Sequence, residues 1–286
     1  MVDGYFPSTF EEALKILNEK DVVIYAGGTD LMVRNKNATS LLPTFNDDLL
    51  YIGNLKELKE IKESTNDLEI GAACSLSSLL IEKEIPEILK EAIRQIASPA
   101  IRNMGTLGGN ICNASPAGDT LPVLYALDAK LKLTSRNSSR EVNIKYFILG
   151  PRKTLLEKKE ILESIIIPKA EFNKLYYQKV GSRKASAISK LSFVGLAQVK
   201  DEKVKDIRIT LGSVAPRIVR IKEAEDILVG SNLKDIESKM GDVKKMYSKE
   251  IVPIDDQRST AVYRKIVALR LIQYFLNIEI RKELGI

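Results

Sequence analysis

Two glycine-bearing stretches constrain this chain more than any other feature: Tyr25-Ala26-Gly27-Gly28-Thr29-Asp30-Leu31 and Gly105-Thr106-Leu107-Gly108-Gly109-Asn110. Each follows an apolar segment and puts a Gly-Gly pair where the backbone is expected to turn sharply and lie close to something else. Glycine reaches positive φ without steric cost and places no side chain between its N–H and a ligand. Successive N–H groups in such a turn form a concavity that attracts anions such as phosphate. A single pair has the plain reading of a tight turn with no ligand. Two pairs in the first half of the chain, each followed by a polar residue (Thr29, Asn110), predict a phosphate-containing cofactor held between two loops.

Composition narrows the chemistry. The chain has 286 residues, 44% hydrophobic and 29% charged, enough to bury a core in one large or two medium domains. No apolar run reaches the length of a membrane span. Met1-Val2-Asp3-Gly4-Tyr5 lacks the basic and apolar regions of a secretory signal. Two cysteines, Cys74 and Cys112, are too few for a disulfide framework and read as buried thiols in a reducing cytoplasm. Histidine is absent, which removes histidine acid–base catalysis, Ser-His or Cys-His nucleophiles and histidine-ligated metals. An iron–sulfur cluster normally needs four cysteines. Redox chemistry here therefore requires an organic cofactor. The net charge of +6 is dispersed among acidic residues, as in Lys56-Glu57-Leu58-Lys59-Glu60, so nucleic-acid binding is not expected.

Along the chain, Ser8-Thr9-Phe10-Glu11 reads as a capping box ahead of a helix with Phe10, Ala13, Leu14 and Leu17 on one face. Val22–Tyr25 and Leu49–Ile52 read as strands, and Leu55, Leu58 and Ile61 as a short helical face. Leu68–Ala72 reads as a strand, Ser75 as the cap of a helix to Ile81, and Pro86 as the first turn of a helix through Ile96. Ser98-Pro99 interrupts that helix. The segment from Asn110 to Asp119 reads as irregular, followed by a helix over Leu121–Leu127. Lys130–Thr134 alternates and returns at Glu141-Val142, a hairpin signal. Ile161–Ile167 is a further strand. A polar break at Lys169–Asn173 marks a domain boundary, giving domains 1–171 and 172–286. Beyond it, Leu175–Val180, Leu191–Val199 and Val204–Val214 read as an antiparallel sheet, with a helix as the alternative for Leu191–Val199. Helices are predicted at Ile221–Leu228, Leu233–Met240 and from Thr260 to Leu284, the last with Val262, Ile266, Leu269, Ile272 and Leu276 as core.

Asn110-Ile111-Cys112-Asn113-Ala114-Ser115-Pro116-Ala117-Gly118-Asp119 gathers short hydrogen-bonding side chains suited to ribityl hydroxyls or pyrophosphate oxygens. Asp119 is acceptor-only when ionised and suits a sugar hydroxyl or a ring N–H. It also stands where it could cap the following helix. These residues, together with Ala26–Leu31 and Gln95-Ile96-Ala97-Ser98-Pro99-Ala100-Ile101-Arg102-Asn103, give a pattern that resembles the FAD-binding medium subunit of the molybdenum hydroxylases, the xanthine dehydrogenase and carbon monoxide dehydrogenase flavoprotein family. Gly150-Pro151-Arg152-Lys153-Thr154, Lys179-Val180-Gly181-Ser182-Arg183-Lys184-Ala185, Leu211–Pro216 and Pro253–Asp256 extend the resemblance over nearly the whole chain.

The resemblance implies an α+β fold: a two-subdomain FAD-binding domain (a small parallel sheet with helices, plus an antiparallel sheet) and a smaller α+β C-terminal domain. It assigns the FAD pyrophosphate to Ala26, Gly27, Gly28, Thr29, Asp30 and Leu31, with Tyr25 heading the stretch. Thr106, Gly108, Gly109, Asn110 and Ser115 inherit contacts along the ribityl chain and flavin ring. Asp119 and Leu162 match cofactor-contacting positions, as does either Gln178 or Lys179. It implies no catalytic side chain and no metal in this chain. Molybdopterin and two-iron two-sulfur clusters belong to a large and a small partner subunit, and NAD+ is one expected acceptor. Ile96 departs from members that set an aromatic ring against the flavin. The cysteine-rich insertion of the 4-hydroxybenzoyl-CoA reductase branch is missing. The alternatives are a self-sufficient FAD-dependent oxidoreductase and a non-catalytic scaffold that has lost its flavin.

Overall fold

The computed structural model describes residues 2–36 and 42–282. The chain is α+β, with a parallel sheet, antiparallel sheets and a helical C-terminal region. It divides into two compact units: Met1–Ile85, Ala97–Ser115 and Ala129–Lys169 in one, and Pro86–Ile96, Pro116–Asp128 and Ala170–Ile286 in the other. This grouping differs from a linear division at 171/172. Two helical segments from the first half join the second unit because the C-terminal strands hold their carbonyls and apolar faces. No helix among the described residues is long and apolar enough to cross a membrane.

In the first unit, helix Phe10–Glu19 starts at Thr9, whose Oγ1 accepts the Glu12 N–H at 3.1 Å. The Glu12 carboxylate accepts the Ser8 N–H at 2.7 Å. The expected box on Ser8 and Glu11 is therefore one residue out of register, because Thr9 is the residue with extended backbone before the first turn. Ala13, Leu14 and Leu17 pack in one core with Leu50, Leu55 and Leu58. Strands Gly4–Tyr5, Asp48–Tyr51 and Val22–Tyr25 form a parallel sheet in that order. Their period of two sends Ile24 and Leu50 into this core.

Leu58 lies in a 3-10 turn, Glu57–Lys59, and Ile61 opens strand Ile61–Glu63, so the helical face expected through Leu55, Leu58 and Ile61 is not formed. Backbone pairing overrides it: Leu58 O accepts the Ala73 N–H and Glu60 O the Gly71 N–H, both at 2.8 Å. A five-stranded antiparallel sheet runs Ile61–Glu63, Asp67–Gly71, Ile161–Pro168, Lys130–Thr134, Ser139–Asn143. Its last two strands are the expected hairpin, closed by Ser135 N–H to Ser138 O at 2.8 Å.

The second unit is built on strands Lys174–Val180, Leu191–Lys200, Lys203–Gly212 and Val219–Arg220. Residues Leu191 to Ala197 are buried without alternation, because helices cover both faces of the sheet. On one face, helix Ala261–Asn277 lies so close that a Cβ on Gly195 would fall 2.6 Å from the Phe275 ring. Tyr247, in helix Ile236–Glu250, donates its hydroxyl to Ile209 O at 2.8 Å on that face. On the other face, helix Thr120–Ala126 is held by Thr210 Oγ1 to Pro122 O and Arg208 Nη1 to Ala126 O, both 2.8 Å. The long C-terminal helix ends at Asn277, short of the expected Leu284, which lies outside the described residues. Its buried face carries Arg264, Ala268, Ile272, Phe275 and Leu276. Val262 and Ile266, expected in the core, are exposed. The sequence is apolar on more than one helical face, so its period does not select the side that meets the sheet.

Candidate functional site

The first glycine stretch leaves the carboxyl end of strand Val22–Tyr25 and enters a one-turn helix, Leu31–Arg34. Gly28 has φ of +67°, in the left-handed region, and its carbonyl accepts the Met32 N–H at 2.8 Å. This is the tight turn that the sequence predicts. Gly27 answers a different demand. A Cβ there would sit 1.9 Å from the main-chain oxygen of Met104, immediately before the second glycine stretch. A Cβ on Gly105 would in turn lie 3.5 Å from Thr29 Oγ1. The two stretches therefore meet, and glycine is what lets them.

The second stretch is not a turn of the same kind. Ser98 caps helix Pro99–Met104, and Thr106 caps a second short helix, Leu107–Cys112, accepting the Gly109 N–H at 3.0 Å. The expected irregular segment thus begins as a helix, and Gly108 and Gly109 lie in its first turn. Gly108 permits close packing: a Cβ there would meet Ala72 Cβ at 2.6 Å and Ala72 O at 2.7 Å. Its N–H donates to Ala72 O at 2.9 Å, and the Leu107 N–H to Cys74 O at 3.1 Å.

This gives the two stretches different capacities. In the second, the N–H groups of Leu107, Gly108, Gly109 and Asn110 all have acceptors within the chain. In the first, the N–H groups of Gly27, Gly28, Thr29 and Asp30 find none among the described residues. A run of unengaged N–H groups around a left-handed glycine is a nest that fits a phosphate or pyrophosphate. The residues present therefore fit the diphosphate of a dinucleotide at Ala26–Leu31. Gly108 and Gly109 lend the second stretch closeness rather than donors.

Asn110 is half-buried on the second helix, and Ser115 follows buried Ala114, whose φ is +46°. The Ala114 carbonyl accepts the Arg152 N–H at 3.0 Å, tying this segment to the turn of hairpin Ile148–Gly150/Lys153–Thr154. Leu162 is buried on strand Ile161–Pro168, at the bulge between it and Ser164.

Asp119, Gln178 and Lys179 belong to the second unit. Asp119 sits at the N-cap position of helix Thr120–Ala126 but makes no side-chain cap bond. Its Oδ2 accepts from Lys179 Nζ at 2.7 Å, and its Oδ1 from Ser189 Oγ at 2.5 Å and Tyr177 Oη at 3.5 Å. Lys179 Nζ also donates to Gln95 O at 2.8 Å. Both side chains of the ion pair are more than nine-tenths buried. Burial pushes the Asp119 carboxyl above the ordinary carboxylate range, while the Lys179 ammonium and the two hydroxyls pull the other way. Tyr177 is pushed well up, first by burial and then by the Asp119 charge.

The strand period places Tyr177 and Lys179 together on Asp119 and turns Gln178 away. Gln178 instead accepts from Tyr176 Oη at 3.2 Å and donates to Lys179 O at 3.0 Å. Tyr177 was findable from that period, two residues before Lys179. Ser189 carried no sequence signal, and Gln95 entered only as the head of a resembling segment, with no role assigned to it. Burial pushes the Cys74 thiol up to about 11 and that of Cys112 up to about 12, so both are inert packing groups. Among the described residues no cluster of Cys, Asp and Glu could hold a metal ion.

Comparison with known proteins matches residues 1–170 to the FAD binding domain in molybdopterin dehydrogenase, and residues 176–278 to the CO dehydrogenase flavoprotein C-terminal domain. The glyceraldehyde dehydrogenase medium chain of Sulfolobus acidocaldarius is 33% identical over 261 residues, covering 90% of each chain. The nicotinate dehydrogenase FAD-subunit of Eubacterium barkeri is 34% identical over 242 residues, covering 80% of each. Among solved structures, the carbon monoxide dehydrogenase of Hydrogenophaga pseudoflava superposes with a TM-score of 0.87 at 26% identity, over 97% of this chain and 96% of that one.

Proposed function

The chain belongs to the molybdenum hydroxylase family as an FAD-binding oxidoreductase subunit, and from that premise we propose that it is the flavin-carrying electron-transfer subunit of a three-component enzyme. The companions are a small subunit with two-iron two-sulfur clusters and a large subunit with molybdopterin, in the reducing cytoplasm that two free thiols fit. Bound here, FAD supplies the redox chemistry linking those clusters to a terminal acceptor such as NAD+.

The observation that carries this reading is the junction of Gly27 with Met104, beside a first stretch whose N–H groups have no acceptor. Gly27, Gly28, Thr29 and Asp30 hold the pyrophosphate by main-chain donation. Thr106 fixes the first turn of Leu107–Cys112, which positions Gly108, Gly109 and Asn110 along the remainder of the cofactor, with Ser115 beyond. Leu162 adds an apolar contact. In the second unit Lys179, held by Asp119, is the candidate cationic contact in preference to Gln178. Residues 1–171 and 172–286 are the functional division that accompanies this reading. None of these residues needs to gain or lose a proton, in keeping with a chain that has no histidine.

The test is to isolate the tagged chain from its native cells, record its visible spectrum and identify the released cofactor by mass spectrometry. Near-stoichiometric FAD, with two co-purifying subunits that carry iron–sulfur and molybdenum, is expected. A colourless chain that stays flavin-free in excess FAD, or a chain that alone turns over a small substrate, would overturn the assignment.

A further inference from the structure

Helix Ala261–Asn277 has an exposed side that no part of the reading above uses. Val262, Tyr263, Ile266, Arg270, Gln273 and Tyr274 are exposed on it, and their spacing of three and four residues sets them in one stripe. Val262 is 69% exposed. The helix contains no Asp or Glu along its whole length. Helix Ile236–Glu250, packed beside it, has an ordinary solvent face: Glu237, Asp242, Lys245, Lys249 and Glu250 are exposed, charges of both signs, with no large apolar side chain among the exposed residues.

Two loops widen the stripe around the first turns of the helix. Ile254, 68% exposed, lies in the segment that leads into it. In that segment Asp255 Oδ1 accepts the Ala261 N–H at 2.5 Å, and Asp256 is engaged by Arg258 and Arg264. Both carboxylates are thus turned to the chain itself. The other loop runs from Gly181 to Lys190, and Lys190 Nζ is 5.5 Å from the centre of the Tyr263 ring. This loop exposes Ile188, Arg183 and Lys184, and it too contains no acidic residue. Arg183 closes it internally, donating to Ala185 O at 3.0 Å and Ser186 O at 2.7 Å. The face therefore has an apolar centre and a rim of one sign.

An exposed apolar patch with a polar rim marks an interaction surface. A rim of one charge sign selects a partner of the other and speeds its arrival. The face is also tied to the ion pair that the cofactor reading uses. Ser189, next to Lys190, donates to Asp119, and Asp119 holds Lys179. A partner seated here stands beside the cationic cofactor contact of the second unit.

We propose that this face docks a small acidic electron-carrier protein, and that this carrier is the terminal acceptor. The inference rests on the FAD reading above and chooses among the acceptors it allows. Size and charge argue for a transient carrier over a resident subunit. Obligate interfaces are broad and apolar, whereas electron-transfer encounters are small and steered by charge. Each carrier takes up one electron. Two carriers therefore oxidise one two-electron reduced flavin, and its two protons pass to water.

The test uses the intact complex, reduced with dithionite, freed of excess reductant and reoxidised by a protein acceptor. The probes are cytochrome c, which is basic, and its succinylated form, which has the same haem and an acidic surface. At low salt the acidic form should reoxidise the wild type about tenfold faster or more, an advantage that high salt removes. Lys184→Glu with Arg270→Glu should abolish the preference. Val262→Ser with Ile266→Ser should slow the acidic form severalfold, at unchanged FAD content and melting temperature. No preference for the acidic form, or one that survives both double variants, overturns the docking surface and leaves the FAD reading standing. So does a loss that follows a fall in melting temperature or FAD content. Loss of co-purifying subunits from a variant would assign the face to a resident subunit, and a change in the number of copies of this chain would assign it to self-association; either overturns the proposal. A complex that holds no flavin overturns both readings.

Discussion

Gly27 lies so close to Met104 that a Cβ on it would sit 1.9 Å from the Met104 carbonyl oxygen. The obstruction is main chain, so no side-chain rotation relieves it. At the next residue the constraint is of another kind. A Cβ on Gly28 meets only side chains, flexible Met32 at 3.3 Å and the Tyr25 ring at 3.7 Å, but φ of +67° is strained for any L side chain. The two glycines of one motif therefore fail differently when substituted.

Gly27→Ala must push the two stretches apart. It is expected to destabilise the chain by about 1–3 kcal/mol, the usual cost of overpacking, and to abolish stoichiometric FAD. Gly28→Ala should cost roughly 1–2 kcal/mol for the left-handed backbone and leave the stretches in contact, so it should retain more flavin. Melting temperature of the flavin-free chain and flavin content of the purified chain measure the two effects separately. Equal flavin content in Gly27→Ala and the wild type would refute a site built from the joined stretches.

Thr106 holds the second stretch through one hydrogen bond to the Gly109 N–H. Thr106→Ala removes an N-cap, and urea denaturation should show a loss of about 1 kcal/mol. Thr106→Ser keeps the oxygen and should recover most of it. If alanine and serine behave alike, the hydroxyl is not what secures this turn.

What was legible in the sequence follows from how local each signal is. The strand-to-glycine transition at Tyr25–Gly28 was readable because glycine is the residue that adopts a left-handed turn at least cost. The second Gly-Gly pair was misread as a turn: Thr106 as an N-cap looks like a loop residue until the carbonyl of Ala72 is seen to take the Gly108 N–H. Leu191–Val199 remained ambiguous between strand and helix because a strand covered on both faces loses its alternation. The helix Ala261–Asn277 was found, but its buried face was not. That face is chosen by Gly195, which receives Phe275 from more than seventy positions away. Asp119 was singled out by its own chemistry and Lys179 only through resemblance, as an alternative to Gln178; their pairing was not legible, since nothing local links two positions sixty apart.

Acid should loosen the second unit at Asp256. Its carboxylate accepts from Arg258 Nη2 at 2.7 Å and from buried Arg264 Nη2 at 2.6 Å, and the Arg258 hydrogen bond leads in holding it well below its ordinary value of 3.8. An unfolded chain then takes up this proton at higher pH than the folded one. The stabilisation is complete above about pH 4 to 5 and is lost as pH falls further. Asp256→Asn should lower stability at pH 7 and flatten the decline between pH 5 and pH 2, as followed by urea midpoints. A decline as steep as the wild type's would place the acid-sensitive group elsewhere.

The Asp119–Lys179 pair offers the sharpest energetic test, because neither charge has water to fall back on. Asp119→Asn leaves the ammonium without its paired carboxylate, with only neutral oxygens such as the Gln95 carbonyl to accept from it. Lys179→Met leaves the carboxylate with only the Ser189 and Tyr177 hydroxyls. Each single change should cost about 3–5 kcal/mol, the usual penalty for stranding a buried charge. The double variant strands none. Its asparagine can still accept from Ser189, and its methionine fills the volume of the lysine stem, so it should be more stable than either single variant. Urea denaturation of the four proteins closes the cycle, with an expected coupling of about 2 kcal/mol or more. Additive losses would mean that the two side chains are supported independently, and the short distance between them would then carry no energetic weight.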